Sequence, residues 1–190
     1  KSYFEMPTVR ILAKLGLSPN WISLIGLIVA GVSAYLLSEG LFWMGGLVLL
    51  VSGLFDLLDG ALARHTGRDS PFGALFDSTL DRFAEAIIML GVLVYYQNIG
   101  SSIGVILCYI ALVGSVMVSY LRARSEGLGV ECKVGILTRP ERISALCSAF
   151  ILAHWWEDAI FITLVTICVL TFVTSCQRLV HVYTVLGENE

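Results

Sequence analysis

Long apolar segments separated by short polar stretches make up most of this chain. Six of them come close to or exceed the ~20 residues that a helix needs to cross a bilayer. They cover residues 20–38, 41–62, 74–96, 101–121, 140–157 and 159–181. The stretches between them contain glycine, proline or charged residues, which commonly end helices. The pattern therefore predicts an all-α polytopic membrane protein with six transmembrane helices.

A shorter segment before the first span has a different pattern. Apolar residues between Met6 and Leu17 alternate there with Arg10 and Lys14. Such a segment is typical of a helix that lies in the membrane surface. We therefore expect residues 1–17 to form a juxtamembrane amphipathic helix whose apolar face enters lipid. The chain as a whole, residues 1–190, is predicted to be a single membrane domain.

Composition excludes two other classes of protein. Of the 190 residues, 57% are hydrophobic and only 14% are charged, and the mean hydropathy is +0.84. A soluble domain is about one quarter charged, and a disordered chain is much less apolar. The net charge of −3 gives no reason to expect a nucleic-acid partner. Membrane lipids are the expected surroundings.

The basic residues are distributed unevenly over the six-span topology. All 12 Lys and Arg residues fall on one side of it, in the termini, the long loops and the adjoining helix ends. Basic residues mark the cytoplasmic side of membrane proteins. We therefore predict an integral protein of the plasma membrane, with both termini and the chemically active groups on the cytoplasmic side.

Four aspartates lie near the cytoplasmic ends of the second and third spans. Asp56 and Asp59 are three residues apart and Asp77 and Asp81 are four apart, so each pair shares one helical face. The short loop between the spans predicts a hairpin that brings both pairs to a similar depth. Buried acids are costly in membranes, and oxygen ligands suit hard divalent cations. We therefore expect the four to bind Mg²⁺ or Mn²⁺, although a solvated helix end or an arginine partner would explain any one of them.

The aspartates belong to a longer motif. Residues 56–81 have the pattern D-x-x-D-G-x-x-A-R-x8-G-x3-D-x3-D. This pattern resembles the signature of the CDP-alcohol phosphotransferase family at every defined position. The resemblance implies a six-helix membrane fold and a step of phospholipid synthesis, in which a hydroxyl attacks the β-phosphorus of a CDP-alcohol and CMP leaves. It also implies a homodimer.

The same resemblance implies roles for individual residues. It implies two Mg²⁺ or Mn²⁺ ions per active site, held by the four aspartates, with Asp81 as the catalytic base that takes the hydroxyl proton. The donor would be CDP-diacylglycerol or CDP-archaeol, in a CDP-lipid site formed by Asn20, Ser23, Gly60, Ala63, Arg64, Ser70 and Gly73. Helix initiation is an alternative explanation for Ser70 and for the stretch around Asn20.

Five arginines form a second candidate site. Their positions are the end of the fourth span, the start of the fifth and the sixth span: Arg122, Arg124, Arg139, Arg142 and Arg178. Guanidinium groups match phosphate oxygens, so the cluster predicts an acceptor that carries a phosphate. Positive-inside topology alone is the alternative explanation. The stretches 120–127 and 138–142 resemble the phosphatidylinositol phosphate and archaetidylinositol phosphate synthase branch, which implies inositol phosphate as the acceptor. Residues 127–135 depart from that branch.

Two other functions remain open from the sequence. A phosphatidylglycerophosphate synthase would use the same chemistry with glycerol 3-phosphate as acceptor. A divalent-cation transporter would also contain membrane carboxylates, but it needs them through the membrane depth or beside interrupted helices. Here the acids lie at one edge of the predicted spans, which favours the transferase.

Overall fold

The computed structural model describes residues 5–14, 16–67 and 69–187, and the regular elements within these ranges are all α-helices. In chain order they are α1 Glu5–Lys14, α2 Pro19–Ser38, α3 Phe42–Thr66, α4 Pro71–Asn98, α5 Ser102–Gly127, α6 Arg139–Leu152 and α7 Ala159–Gly187. The chain divides after Gly91 into two compact units.

The six predicted spans coincide in sequence with α2 to α7. Within the described ranges, four of these helices are long and apolar enough to cross a membrane: α2, α3, α5 and α7. The helix α4 has 28 residues, but its first half carries Asp77, Asp81, Arg82 and Glu85. At 1.5 Å per residue, the 14 residues of α6 extend only about 21 Å, against about 30 Å for the hydrocarbon core. An all-helical membrane protein is confirmed, and the count of six spans stays a prediction.

The end of α6 differs from the predicted segment 140–157. The helix stops at Leu152, and the chain continues through turns to the start of α7. Trp155 and Trp156 raised the apparent length of the span, yet they lie in these turns and are 75% and 51% exposed. Tryptophan is typical of membrane interfaces because its ring is apolar and its N–H is polar. The predicted segment therefore extends five residues, 153–157, beyond the end of the helix.

In the first unit, α2 and α3 pack against each other along most of their lengths. Two buried serines on these helices donate hydrogen bonds to carbonyl oxygens of the opposite helix, Ser33 to Gly45 at 2.7 Å and Ser52 to Gly26 at 2.9 Å. Hydroxyl groups in an apolar environment need such partners, and glycine allows the backbones to approach. The register of the pair places the start of α2 beside the second half of α3.

The helix α1 packs onto the same region. Val9 is 4% exposed and contacts a cluster with Ile22, Ala61 and Leu62. At least this part of the apolar face of α1 therefore lies against protein, whereas the sequence predicted lipid. A surface position for the segment 1–17 stays a prediction, and its residues 1–4 and 15 lie outside the described ranges.

Close packing of α4 against α2 gives a first testable prediction. A Cβ atom at Gly91 would lie 2.3 Å from the carbonyl oxygen of Ala34. Because backbone atoms cannot yield easily, Gly91→Ala should lower the free energy of unfolding by about 1–3 kcal/mol. Gly31→Ala is the control, since a Cβ there meets nothing within 4 Å. Thermal unfolding in detergent measures both, and equal midpoints for the two variants would disprove the close contact.

In the second unit, α5 and α7 approach each other closely at Gly114, where a Cβ atom would lie 2.3 Å from Oγ1 of Thr171. The segment between α5 and α6 lies against α7 as well. The N–H of Leu137 donates to Oγ1 of Thr174 at 3.2 Å, and a Cβ at Gly135 would lie 2.5 Å from Cγ2 of the same threonine. The segment 128–138 is thus packed in place although it has no helical structure.

Candidate active site

A cavity of about 220 Å³ lies in the first unit, where the start of α2, the second half of α3 and the start of α4 meet. All seven residues predicted for the CDP-lipid site line it. The full lining consists of Pro19, Asn20, Ser23, Asp59, Gly60, Ala63, Arg64, Asp69, Ser70, Gly73, Ala74 and Asp77. Two predicted metal ligands are among them, so the cavity joins the predicted metal site to the predicted nucleotide site.

A tight turn between α3 and α4 brings these residues together. Gly67 ends α3 in a left-handed conformation, with φ of 62°, and its N–H donates to the carbonyl oxygen of Ala63. Glycine adopts this conformation without the steric cost of a Cβ atom. Just before α4, Oγ of Ser70 accepts a hydrogen bond from the N–H of Gly73 at 3.0 Å. Ser70 therefore does initiate the helix, as the alternative explanation held, and it also lines the cavity.

Three aspartates converge at the metal site. One carboxylate oxygen each of Asp56, Asp59 and Asp77 lies within 4.8 Å of the other two. Two oxygens on opposite sides of a magnesium ion, each at ~2.1 Å, would be about 4.2 Å apart, so a divalent cation fits this group. The donors are all oxygen, which favours Mg²⁺ or Mn²⁺ over zinc. The group is a candidate site for a divalent metal.

The fourth predicted ligand, Asp81, is not part of this three-carboxylate group. It lies one turn further along α4, its side chain is 14% exposed, and its Oδ2 is 3.7 Å from Nη1 of Arg82. The structure therefore brings together three of the four aspartates. Asp81 is placed nearby in the helix but outside the group.

Hydrogen bonds and small residues shape the cavity wall. Oγ of Ser23 donates to Oδ2 of Asp59 at 2.5 Å, which connects α2 to α3. A Cβ atom at Gly60 would lie 3.3 Å from Nη1 of Arg64, so the glycine leaves room for the guanidinium above the helix. A Cβ atom at Gly73 would lie 3.1 Å from Oγ of Ser70 and would narrow the cavity.

The five predicted acceptor arginines all lie in the second unit. Two of them are exposed in the last turns of α5, where Arg122 pairs with Glu126 at 2.9 Å and Arg124 follows two residues later. Arg139 begins α6 and is half-buried. Arg122 and Arg142 lie close enough to Arg178 to act on its charge. Three of the five therefore interact electrostatically through Arg178.

Two of these arginines also hold the segment 128–138. Arg178 is 3% exposed and donates from Nε to the carbonyl oxygen of Val134 at 2.9 Å and from Nη1 to that of Val118. Arg142 is fully buried, and its Nη1 lies 3.4 Å from the carbonyl oxygen of Leu137. Positive-inside topology alone does not explain such burial, because it requires only exposed basic groups.

Lys133 differs from those arginines. It forms an ion pair with Glu131, and this contact holds the pKa of the Glu131 carboxyl below its usual value. Its charge is thus already compensated by a neighbour. Both residues belong to the stretch 127–135 that departs from the expected branch pattern.

Sequence reasoning missed three residues on these elements. Asp69 and Ala74 line the cavity, and Glu85 is an acid on α4 that is only 2% exposed. The position of Glu85, one turn beyond Asp81 and inside a predicted span, could have marked it as a candidate functional residue, because acids inside membrane spans are costly. Asp69 gave no such signal, since a charged residue in a short polar loop is ordinary.

Comparison with known proteins identifies the same family as the motif. A sequence model described as CDP-alcohol phosphatidyltransferase matches residues 16–177. The chain belongs to the CDP-alcohol phosphatidyltransferase family. This confirms the family predicted from the motif, and the protein is a phosphotransferase of phospholipid synthesis.

Other members of the family are similar over nearly the whole chain. An archaetidylinositol phosphate synthase of Methanothermobacter thermautotrophicus is 36% identical, over 90% of this chain and 85% of its own. A phosphatidylinositol phosphate synthase of Cutibacterium acnes is 34% identical, over 93% of this chain and 90% of its own.

A solved member of the family has the same fold. The crystal structure of Mycobacterium tuberculosis phosphatidylinositol phosphate synthase with CDP-DAG bound superposes with a TM-score of 0.90, at 30% identity, and the match covers 95% of this chain and 94% of that one. A second crystal structure of that enzyme, in complex with manganese and citrate, gives a TM-score of 0.89 at 30% identity, covering 95% of this chain and 90% of that one.

Proposed function

We propose that the protein transfers a phosphatidyl or archaetidyl group from a CDP-lipid to a hydroxyl of inositol phosphate, giving phosphatidylinositol phosphate, or its archaetidyl analogue, and CMP. The observation that carries the proposal is the group of three aspartates at a cavity lined by every residue predicted for the CDP-lipid. The names of the similar enzymes support inositol phosphate as the acceptor. The donor is CDP-diacylglycerol or CDP-archaeol.

The cavity is proposed to hold the cytidine diphosphate of the donor. Asp56, Asp59 and Asp77 would hold Mg²⁺ or Mn²⁺, two ions per active site, and these would neutralise the diphosphate and polarise its oxygens. Arg64 would direct its guanidinium onto a phosphate, in the space that Gly60 leaves. The remaining polar and small lining residues, Asn20, Ser70 and Gly73, would surround the nucleoside.

The chemical step requires a base for the acceptor hydroxyl. Its oxygen forms a bond to the β-phosphorus, the bond from that phosphorus to the CMP oxygen breaks, and the hydroxyl proton goes to a carboxylate. Asp81 is proposed for this role because it lies one turn from Asp77 on α4 and outside the three-carboxylate group. A carboxylate at this place can take the hydroxyl proton as the bond to phosphorus forms.

The arginine group is proposed to bind the phosphate of the acceptor. Arg178 interacts electrostatically with Arg122, Arg142 and Glu126, so positive charge is in excess around it. A phosphate dianion would neutralise this excess and accept several hydrogen bonds. Arg124 and Arg139 would add to the same positive surface.

The membrane arrangement completes the proposal. We propose that α4 and α6 join the four long apolar helices as the fifth and sixth spans, in a single membrane domain with α1 at the membrane surface. The termini and the site would face the cytoplasm, in the plasma membrane, because all 12 basic residues lie on that side of the topology. A homodimer is the proposed assembly.

An acceptor screen tests the proposed function. CMP release from CDP-diacylglycerol by purified protein should require Mg²⁺ or Mn²⁺ and should be at least about tenfold faster with inositol phosphate than with glycerol 3-phosphate or serine, a difference of about 1.4 kcal/mol in barrier. Faster release with glycerol 3-phosphate would instead identify a phosphatidylglycerophosphate synthase. Metal flux into liposomes without CMP release would favour a transporter.

A further inference from the structure

The hydroxyl of Ser23 makes a contact that its predicted role in nucleotide binding does not require. Its Oγ donates to Oδ2 of Asp59 at 2.5 Å, although the two residues are 36 positions apart. A serine hydroxyl has a single proton to donate. The other acceptor within reach is the carbonyl oxygen of Pro19, at 3.2 Å on the same helix. The donor capacity of Ser23 is therefore used inside the protein.

The register of α2 and α3 makes this contact a fixed feature of the fold. The hydrogen bonds from Ser52 to Gly26 and from Ser33 to Gly45 hold the two helices together further along. Ser23 lies less than one turn before Gly26 on α2, which places it opposite the part of α3 that carries Asp59. The carboxylate thus meets Ser23 because of helix packing, before any ligand binds.

Asp59 is also the most buried member of the three-carboxylate group. It is 4% exposed, so bulk water has little access to orient its side chain. With Oδ2 held by Ser23, rotation of the carboxylate is restricted and its direction toward Asp56 and Asp77 is maintained. Outer hydrogen bonds of this kind typically change metal affinity 10- to 100-fold.

We propose that Ser23 is a positioning residue of the metal centre, which orients Asp59 for a divalent cation. The inference rests on the proposed function, since it assumes that the three aspartates bind metal. A positioning role for Ser23 and a nucleotide-binding role for Ser23 predict different effects of mutation. A nucleotide contact affects the KM for CDP-lipid, whereas a positioning contact affects the affinity for the metal itself.

The test compares Ser23→Ala and Ser23→Thr with Ser38→Ala as a matched control. Ser38 is on the same helix, and its hydroxyl donates to the carbonyl oxygen of Tyr35 away from the site. Binding of Mn²⁺ to purified protein without CDP-lipid is measured by electron paramagnetic resonance of the free ion. Ser23→Ala should weaken binding about 10- to 100-fold. Ser23→Thr, which keeps the hydroxyl, should restore most of it, and Ser38→Ala should leave it unchanged.

A second measurement separates the two roles. CMP release is assayed against CDP-diacylglycerol over a range of Mn²⁺ concentrations, where Ser23→Ala should need about 10- to 100-fold more Mn²⁺ for half-maximal release. An unchanged Mn²⁺ affinity with a raised KM would overturn the inference in favour of nucleotide contact. If Ser23→Ala does not fold, Ser23→Cys gives the same comparison, because a thiol is similar in size but a weak donor. Wild-type protein that binds Mn²⁺ without releasing CMP would refute the proposed function alone, since metal affinity is measured independently.

Discussion

Asp81→Asn should reduce the rate of CMP release by about 10²- to 10⁴-fold, while the affinities for Mn²⁺ and CDP-lipid stay close to those of the wild type. The size of the effect is that of losing general base catalysis. Asparagine has nearly the same shape as aspartate but cannot take a proton. Asp81 lies outside the three-carboxylate group, so its replacement leaves the candidate metal ligands in place. The measurement is single-turnover CMP release together with a Mn²⁺ titration.

The control for this variant is Glu39→Gln. Glu39 is an exposed acid in the turn between α2 and α3, at the opposite end of α3 from the aspartates. The same loss of one negative charge there should leave turnover unchanged. If Asp81→Asn lost Mn²⁺ binding in parallel with activity, Asp81 would be a metal ligand and the base would have to be sought elsewhere.

Asp77→Asn should abolish both metal binding and activity. Asp77 is one of the three converging carboxylates and also lines the cavity, so its loss removes a charged ligand where the diphosphate is proposed to bind. Metal ions supply several kcal/mol of charge stabilisation in such reactions, and 1.36 kcal/mol corresponds to tenfold in rate. We therefore expect a loss of at least about 10³-fold in CMP release at moderate Mn²⁺.

The two aspartate variants are most informative when compared. Asp77→Asn should require much more Mn²⁺ for any remaining activity, whereas Asp81→Asn should show the wild-type Mn²⁺ requirement at a lower maximal rate. Removing the metal from the wild type with a chelator should cause a loss of activity that added Mn²⁺ reverses, as expected for Asp77→Asn and not for Asp81→Asn. Wild-type turnover by Asp77→Asn would contradict the metal site outright.

The candidate donor site was largely predictable because it depends on local geometry. Helical periodicity places Asp56 and Asp59 on one face, and a short loop forces the next helix to return beside it. In the structure both acids lie together with Asp77, and Asp59 and Asp77 line a cavity with Gly60 and Arg64. Those relationships need only the spacing of residues along two neighbouring helices.

Contacts between distant elements were not predictable in the same way. The hydrogen bond from Ser23 to Asp59 depends on the register of α2 against α3, which hydrophobic pattern alone does not specify. Arg178 likewise donates hydrogen bonds to the carbonyl oxygens of Val118 and Val134, and these contacts depend on how distant segments pack together. The end of α6 was misplaced because the apolar rings of Trp155 and Trp156 resemble the continuation of a span, although the helix ends at Leu152.

The lining of the cavity has a consequence for how the protein is made. All twelve lining residues lie between Pro19 and Asp77, and therefore well before the start of α5 at Ser102. Contacts that are near in sequence form quickly, and segments translated first begin to fold first. We therefore expect the walls of the donor cavity to assemble while α5, α6 and α7 are still being synthesised. The residues proposed to bind the CDP-lipid are therefore synthesised before those proposed to bind the acceptor phosphate.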